Sequence, residues 1–330
     1  RRVPNRRAST KVVRSSTNRL LDSRLMDLPI GLSCRPATFA DAAAVLEVVN
    51  AAQAVDIGET LLELSDIEAD WASPSLDPTE DVILVHQGDR LVAYAQVSGS
   101  RADADVHPDV RGRGVGRCLV EWTERRAFDR AAPRAEVRIG QTVRDGLEGT
   151  EDLFVARGYE RLWDSWILRL PPNADLGSPS VPDGTTIRPF LPEEEAAVYT
   201  LIDDAFNEWE GRESTPIDEW RSMTIARSDF DPSLLLVTTI GEKIVGAALG
   251  IHYPGEGWVD QIAVDRRFRD RGIAKALLTE LLGRFREQGE TRLGLNTDSR
   301  TGALGLYLAI GMVVEHTFVR WSRLLRPAAE

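Results

Sequence analysis

One short stretch of this chain combines residue types and spacing that could hold a phosphate: Arg269-Asp270-Arg271-Gly272-Ile273-Ala274. A glycine and a small residue stand two apart where an apolar-periodic segment begins. At a helix start that spacing lets backbone N–H groups come close to a bound group. Those N–H groups have no acceptor inside the helix, and the helix dipole adds positive potential, so an anion is favoured there. Arg269 and Arg271 add formal charge. Arg111-Gly112-Arg113-Gly114-Val115-Gly116 matches the same pattern closely.

The elements that must position this corner are legible around it. Val259, Ile262, Ala263 and Val264, interrupted by Asp260 and Gln261, predict a strand that ends at Val264. Asp265 to Asp270 predicts a polar turn with Phe268 inside it. Apolar residues at Ile273, Ala276, Leu277, Leu281 and Leu282 predict a helix with one buried face.

The first half predicts a similar order. A short strand at Ser33 to Thr38 leads to a helix from near Asp41, apolar at Ala42, Val45, Leu46, Val48 and Val49. Leu61 to Trp71 suggests a second helix. Val82 to His86 and Arg90 to Val97 flank Gln87-Gly88-Asp89 as a hairpin. A short strand ends at Val106, a helix runs through Trp122 and Ala127, and a strand covers Val137 to Ile139. A helix ends at Leu153 to Gly158, and Tyr159 to Leu170 reads as a closing strand.

Pro171 to Gly184 is rich in Pro, Gly and Ser and reads as a linker. After it the order restarts. Ile187-Arg188-Pro189 repeats Cys34-Arg35-Pro36 in kind, and Gly241 to Ala247 repeats Gly88 to Tyr94. The offset is 153 from Gly88 to Gly241, 158 from Gly114 to Gly272, and 153 again from Gly158 to Gly311. A period this long means a duplicated domain, not a solenoid. The excursion reads as five extra residues before the central strand of the second copy, in His252 to Gly257.

The corner resembles the acetyl-CoA signature of the GNAT acyltransferase superfamily, Arg/Gln-x-x-Gly-x-Gly/Ala after a strand. The strand end Ile262-Ala263-Val264-Asp265 and the downstream run Thr301 to Met312, with Tyr307 four before Gly311, resemble that family too. Tandem domains in a chain this long look most like mycothiol synthase and its relatives. The resemblance implies an α/β (α+β) fold of two tandem GNAT domains, each a mixed, mostly antiparallel sheet splayed at its centre and flanked by helices. The expected division is a disordered basic tail over 1–30, a non-catalytic N-terminal domain over 31–170, a linker over 171–184, and a catalytic C-terminal domain over 185–330.

The resemblance also implies the site. Acetyl-CoA would lie on Ile262, Ala263, Val264, Arg269, Arg271, Gly272, Ile273, Ala274 and Lys275, and CoA could be held in the first half by Val106, Arg111, Arg113, Gly114, Val115 and Gly116. Tyr307 falls where the family has its general acid, and Asp260 where several members carry a carboxylate base. By the offset of 158, Ala102 stands at the position of Asp260, and Phe154 stands four before Gly158 where Tyr307 stands four before Gly311. A phenyl ring cannot donate a proton. Glu208, Glu210 and Glu213 are alternatives for holding or deprotonating a cationic acceptor, and Asn296 flanks the acceptor pocket. The implied activity is acetyl transfer to the amine of a small molecule. A CoA-sensing protein without turnover and a protein N-acetyltransferase are the alternatives.

Composition narrows the partners. The 330 residues are 42% hydrophobic and 28% charged, a globular balance. A net charge of −12 and a pI near 5.0 argue against general nucleic-acid binding. No apolar run is long enough for a bilayer. Cys34 and Cys118 offer neither a disulfide framework nor a zinc spacing, so packed thiols, no metal and a reducing cytoplasm are expected. A monomer or homodimer is expected. Residues 1 to 25 hold eight Arg/Lys and one acid, Asp22, and Met26 is a plausible start.

Overall fold

The computed structural model describes residues 26–132, 135–177, 180–208, 214–253 and 255–327. In the first half, strands β1 (Leu32–Pro36), β2 (Val82–Gln87), β3 (Arg90–Ser98), β4 (Arg101–Val106) and β5 (Val137–Arg144) carry helices α1 (Ala42–Asp56), α2 (Leu64–Ala72), α3 (Pro78–Asp81), α4 (Val115–Arg130) and α5 (Glu148–Ala156), and β6 (Glu160–Leu170) follows. The second half repeats this as β7 (Thr185–Pro189), α6 (Glu195–Phe206), α7 (Ile217–Met223), β8 (Leu235–Ile240), β9 (Lys243–Tyr253), β10 (Glu256–Val264), α8 (Ile273–Glu287), β11 (Arg292–Asp298), α9 (Leu304–Ala309) and β12 (Val313–Leu325).

The strands form one sheet in the order β1-β2-β3-β4-β5-β12-β6-β11-β10-β9-β8-β7. Each half therefore closes on the other's last strand. β12 pairs β5 from Leu325↔Val137 to Phe318↔Arg144, and β6 pairs β11 from Leu170↔Leu293 to Ser165↔Asp298. The cores follow the exchange. Val319, Trp321 and Leu325 of β12 are buried with Leu119, Ile139 and Phe154 of the first half. Leu168 and Leu170 of β6 are buried with Leu277, Leu281 and Leu293 of the second. Tyr159 to Leu170 is a closing strand as expected, but it closes the second half. No local pattern distinguishes the two pairings, because the partners are distant in sequence.

Each half is splayed at its centre. β4 meets β5 in parallel only at Arg101↔Gly140, and β10 meets β11 only from Glu256↔Arg292 to Val259↔Leu295. Beyond those points the β11-facing backbone of β10 has no strand partner, so its polar groups are left for another ligand. The helix α8 buries Ile273, Ala276, Leu277, Leu281 and Leu282 as the spacing predicts, and Leu278 and Phe285 as well.

The pairing also relocates the five extra residues. Val97↔Ala102 in the first half corresponds to Gly250↔Val259 in the second; the β9–β10 register shifts between Val259 and Gln261, whereas β3–β4 runs on without a shift. Four of the extra residues lengthen the β9–β10 hairpin, with Tyr253 opposite Glu256. The fifth is Asp260, a β-bulge between Val259 and Gln261. Ala102 is thus the counterpart of Val259, not of Asp260 as the offset had it, and both are buried. Asp260 has no first-half counterpart.

Residues 1–25 lie outside the described residues. Met26 is buried in the first-half core, so packing extends into the stretch expected as tail. Cys34 and Cys118 pack at the edge of the same core, where burial raises both thiol pKa values. No described helix is long and apolar enough to cross a membrane.

Candidate active site

The phosphate corner is built the same way twice. Gly272 (φ +83°) and Gly114 (φ +87°) cap α8 and α4 in the left-handed region, where a side chain is strained. A Cβ built on either meets no protein atom within 4 Å, so the space over the helix start is open. The first helical bonds are Ala276 N–H to the Gly272 carbonyl and Cys118 N–H to the Gly114 carbonyl, which leaves the preceding N–H groups free of helical partners. Asp270 (φ +60°) takes the left-handed position held by Gly112 in the first half. Among the described residues it is the one non-glycine with positive φ, a conformation that Asp tolerates better than most.

The arginines are aimed by matching contacts. Arg269 Nε donates to the Val264 carbonyl at 3.1 Å, as Arg111 Nε does to Val106 at 3.0 Å. Arg271 donates to the Arg267 carbonyl and Arg113 to that of Asp109. Each first arginine is gripped by a carboxylate at or just beyond the end of the helix opposite. Glu208 takes Arg269 at 2.7 and 2.9 Å, and Asp56 takes Arg111 at 2.5 and 2.9 Å. Glu208, expected at the acceptor, is therefore tied to the phosphate corner. Glu210 and Glu213 lie outside the described residues. Arg271 and Lys243 both sit over the Phe268 ring, at 5.2 and 4.9 Å, which gathers cations beside the corner.

Two cavities meet at the strand bulge. One, of about 760 Å³, contains the corner, Lys275, Ile262 to Val264, and Tyr307. The other, of about 1730 Å³, runs between the halves and reaches Gly114, Gly116 and Arg111 of the first corner. Phe206, Asp260 and Asn296 line both. The bulge turns Asp260 out of the strand alternation and into this junction. Its carboxyl is open to the cavity yet enclosed by protein, and that enclosure pushes its pKa up to about 6; Arg227 pulls it down, while Asp66 and Asp229 push it up.

Tyr307 is 5% exposed. The glycine four residues later explains its position. Gly311 (φ +97°) ends α9 in the left-handed conformation, and Met312 N–H returns to the Tyr307 carbonyl at 3.1 Å. Burial pushes the phenol up to about 12, and a hydrogen bond with the Thr297 side chain draws it partly back. In the first half Gly158 ends α5 in the same way, but the residue it holds is Phe154, packed on Tyr159 and Trp321.

Three groups at this site had no signal in the sequence. Asp66, from α2 of the first half, accepts from Tyr253 Oη at 2.8 Å and from Arg227 at 2.9 Å, so the first half walls the cavity beside Asp260. Trp220 Nε1 holds Gln261 at 3.1 Å. Asp105 lines the large cavity one residue before Val106, and burial with Asp103 and Asp56 nearby pushes it up to about 7. The first half thus does carry a carboxylate on its central strand, but in the register of Ala263 and not in a bulge. These partners are far apart in sequence, so no local motif could link them.

Replacing Gly272 with valine should weaken acetyl-CoA binding to the second half by about tenfold or more, since a left-handed valine costs roughly 1–2 kcal/mol and its side chain fills the open space. Titration calorimetry checks this: unchanged affinity and stoichiometry in a folded Gly272→Val protein would remove the corner from the binding site.

Residues 196–312 match the model of the Acetyltransferase (GNAT) family. The chain is 30% identical over 258 residues to a mycothiol acetyltransferase of Salinispora arenicola, covering 70% of this chain and 76% of that one. It is 29% identical over 285 residues to a mycothiol acetyltransferase of Salinispora tropica, covering 80% and 83%. Among solved structures, a GCN5-related N-acetyltransferase from Sphaerobacter thermophilus aligns with TM-score 0.75 at 33% identity, over 92% of this chain and 98% of that one. A tandem GNAT protein from the clavulanic acid biosynthesis pathway shares the fold, with TM-score 0.67 at 19% identity over 90% and 100%.

Proposed function

The chain belongs to the GNAT acetyltransferase family, an N-acetyltransferase using acetyl-CoA, and on that premise we propose that its second half acetylates the amine of a small molecule. The observation that carries this reading is the junction at Asp260. A carboxylate at a bulge is shared by the cavity that contains the phosphate corner and by the cavity between the halves. The donor would enter from one side and the amine from the other.

The roles follow from what each group can hold or move. The N–H groups at the start of α8, with Arg269 and Arg271, would hold the pyrophosphate. Backbone N–H of β10 beyond Val259 has no β11 partner and can donate to the thioester carbonyl oxygen. Asp260 would take the proton from the acceptor ammonium. The amine nitrogen then forms a bond to the carbonyl carbon, and the carbon–sulfur bond breaks. Tyr307 would donate its proton to the departing sulfur, and the second proton shed by the new amide nitrogen would restore the phenol.

A polar small acceptor is favoured by the mixed charge of the cavity wall. Asp66, Asp70, Arg101 and Arg227 are part of it. The first half would serve as part of the acceptor wall and as a CoA-holding copy without chemistry. Thiol release from acetyl-CoA with a panel of small amines, peptides and no acceptor tests the reading. Turnover on small amines is expected. Turnover on peptide N-termini alone would favour a protein acetyltransferase, and saturable CoA binding with no turnover on any amine would favour a sensor.

A further inference from the structure

We propose that Arg300, braced by Trp163 of the other half, binds the 3′-phosphate of CoA, so that a strand of the first half completes the donor site of the second. The proposal rests on the reading of the second half as a donor site. Arg300 lines the same cavity as the phosphate corner. The walls of that cavity are β10 and β11, which part beyond Val259↔Leu295. Val264, where β10 gives way to the corner, and Arg300 each lie five residues past that pair. Arg300 thus stands near the outer end of the slot, on the wall opposite the corner. The thioester would lie further in, where the strands part.

The guanidinium is fixed from two directions. Its Cζ lies 3.6 Å from the centroid of the Trp163 ring on β6. Asp298 accepts from Nη2 at 2.5 Å and from Nε at 3.2 Å. The Asp298 carboxylate is itself held by the Arg300 backbone N–H at 2.9 Å. An arginine stacked and squared in this way gives up little further freedom when a ligand arrives. CoA brings three phosphate groups. The pyrophosphate supplies two, which suit the N–H groups at the start of α8 with Arg269 and Arg271. The third is a monoester on the ribose, with a charge of about −1.5 to −2 near neutral pH, and it calls for a cation of its own. Among the described residues lining this cavity, Arg300 is the cation on the β11 wall, since Arg269 and Lys275 belong to the corner and its helix. Its fork of N–H donors matches phosphate oxygens.

The same pair of residue types recurs in the first half. β5 and β11 occupy equivalent places against the exchanged strands, with Val137↔Leu325 and Leu293↔Leu170. Seven residues on from Val137 and Leu293 stand Arg144 and Arg300. Seven residues back from Leu325 and Leu170 stand Phe318 and Trp163. Arg144 and Phe318 are direct cross-strand partners, and both line the cavity that reaches the first corner. Each half therefore places an arginine beyond its corner's slot and draws the aromatic residue beside it from the other half's closing strand. Closure of the sheet asks for apolar faces there and gives no reason for a charge; a shared anionic ligand does.

The test is titration calorimetry of the full chain with CoA and with dephospho-CoA, which needs no turnover. The wild type should bind CoA about ten- to a hundredfold more tightly, as expected for charge-assisted hydrogen bonds to a phosphate. Arg300→Gln should remove that preference at one site and leave the affinity for dephospho-CoA within about threefold. Trp163→Ala should remove about three- to tenfold of it, and Trp163→Phe should keep it within about threefold, because a ring remains. The KM for acetyl-CoA, read with an accepted amine, should rise in Arg300→Gln by the same factor, which assigns the affected site to the second half. Equal wild-type affinities for the two ligands overturn the proposal without any variant. An Arg300→Gln loss that is the same for both ligands overturns it too, by moving the arginine to the pyrophosphate. A folded Trp163→Ala protein with its full preference overturns the part given to the exchanged strand. Absence of turnover on every amine would instead count against the acetyltransferase reading, and the titration would still decide this one.

Discussion

Asp260→Asn should lower kcat/KM about a hundred- to ten-thousand-fold, the range usual for loss of a general base. The amide keeps the shape of the side chain but cannot take a proton from an ammonium. The pH profile separates this from a packing defect. Enclosure holds the wild-type carboxyl at about 6, with Arg227 opposing and Asp66 and Asp229 reinforcing the rise. A base must be ionised to act, so activity should be low below that pH and rise as pH passes through it. The acidic limb of kcat/KM should therefore lie near 6 in the wild type, and the variant's residual activity should lack it. A limb that survives Asp260→Asn would move the base to another carboxyl, with Asp66 the first to examine. The first half has no residue in the place of Asp260, because its central strand has no bulge and Val97 pairs directly with Ala102.

Tyr307→Phe should lower kcat by about ten- to a thousand-fold, with the smaller end favoured because a thiolate leaves tolerably well on its own. The phenol at about 12 is a weak acid, so no basic limb from its ionisation is expected near neutral pH. KM for acetyl-CoA should hardly change, since the groups that grip the phosphates are elsewhere. The same experiment on the first half should read differently. Gly114→Val strains the other corner, yet it should leave kcat within about threefold if the fold is kept, because Phe154 offers no proton beneath it. Steady-state kinetics of both variants on one accepted amine decide the matter. A silent Tyr307→Phe together with an inactive Gly114→Val would assign the chemistry to the first half.

Much of this molecule was determined by local sequence, and for physical reasons. The corner Arg269 to Ala274 needs a left-handed residue before a helix, and glycine supplies it, so the motif and its repeat at Arg111 to Gly116 could be read directly. The spacing of Tyr307 and Gly311 works in the same way, since a left-handed glycine four residues on ends the short helix. The apolar face of α8 follows from its period. What the sequence could not decide is what those elements meet. Asp260 and Ala102 align at a constant offset, and only strand pairing reveals that Asp260 is an added bulge residue, because a bulge shifts register without leaving a mark in residue type. Glu208 looked like an acceptor ligand until its partner, 61 residues away, proved to be Arg269. Asp66 reaches Tyr253 across 187 residues. The exchange of β6 and β12 is of the same kind: the strands each pairs with lie in the other half, and only the tertiary arrangement brings them together.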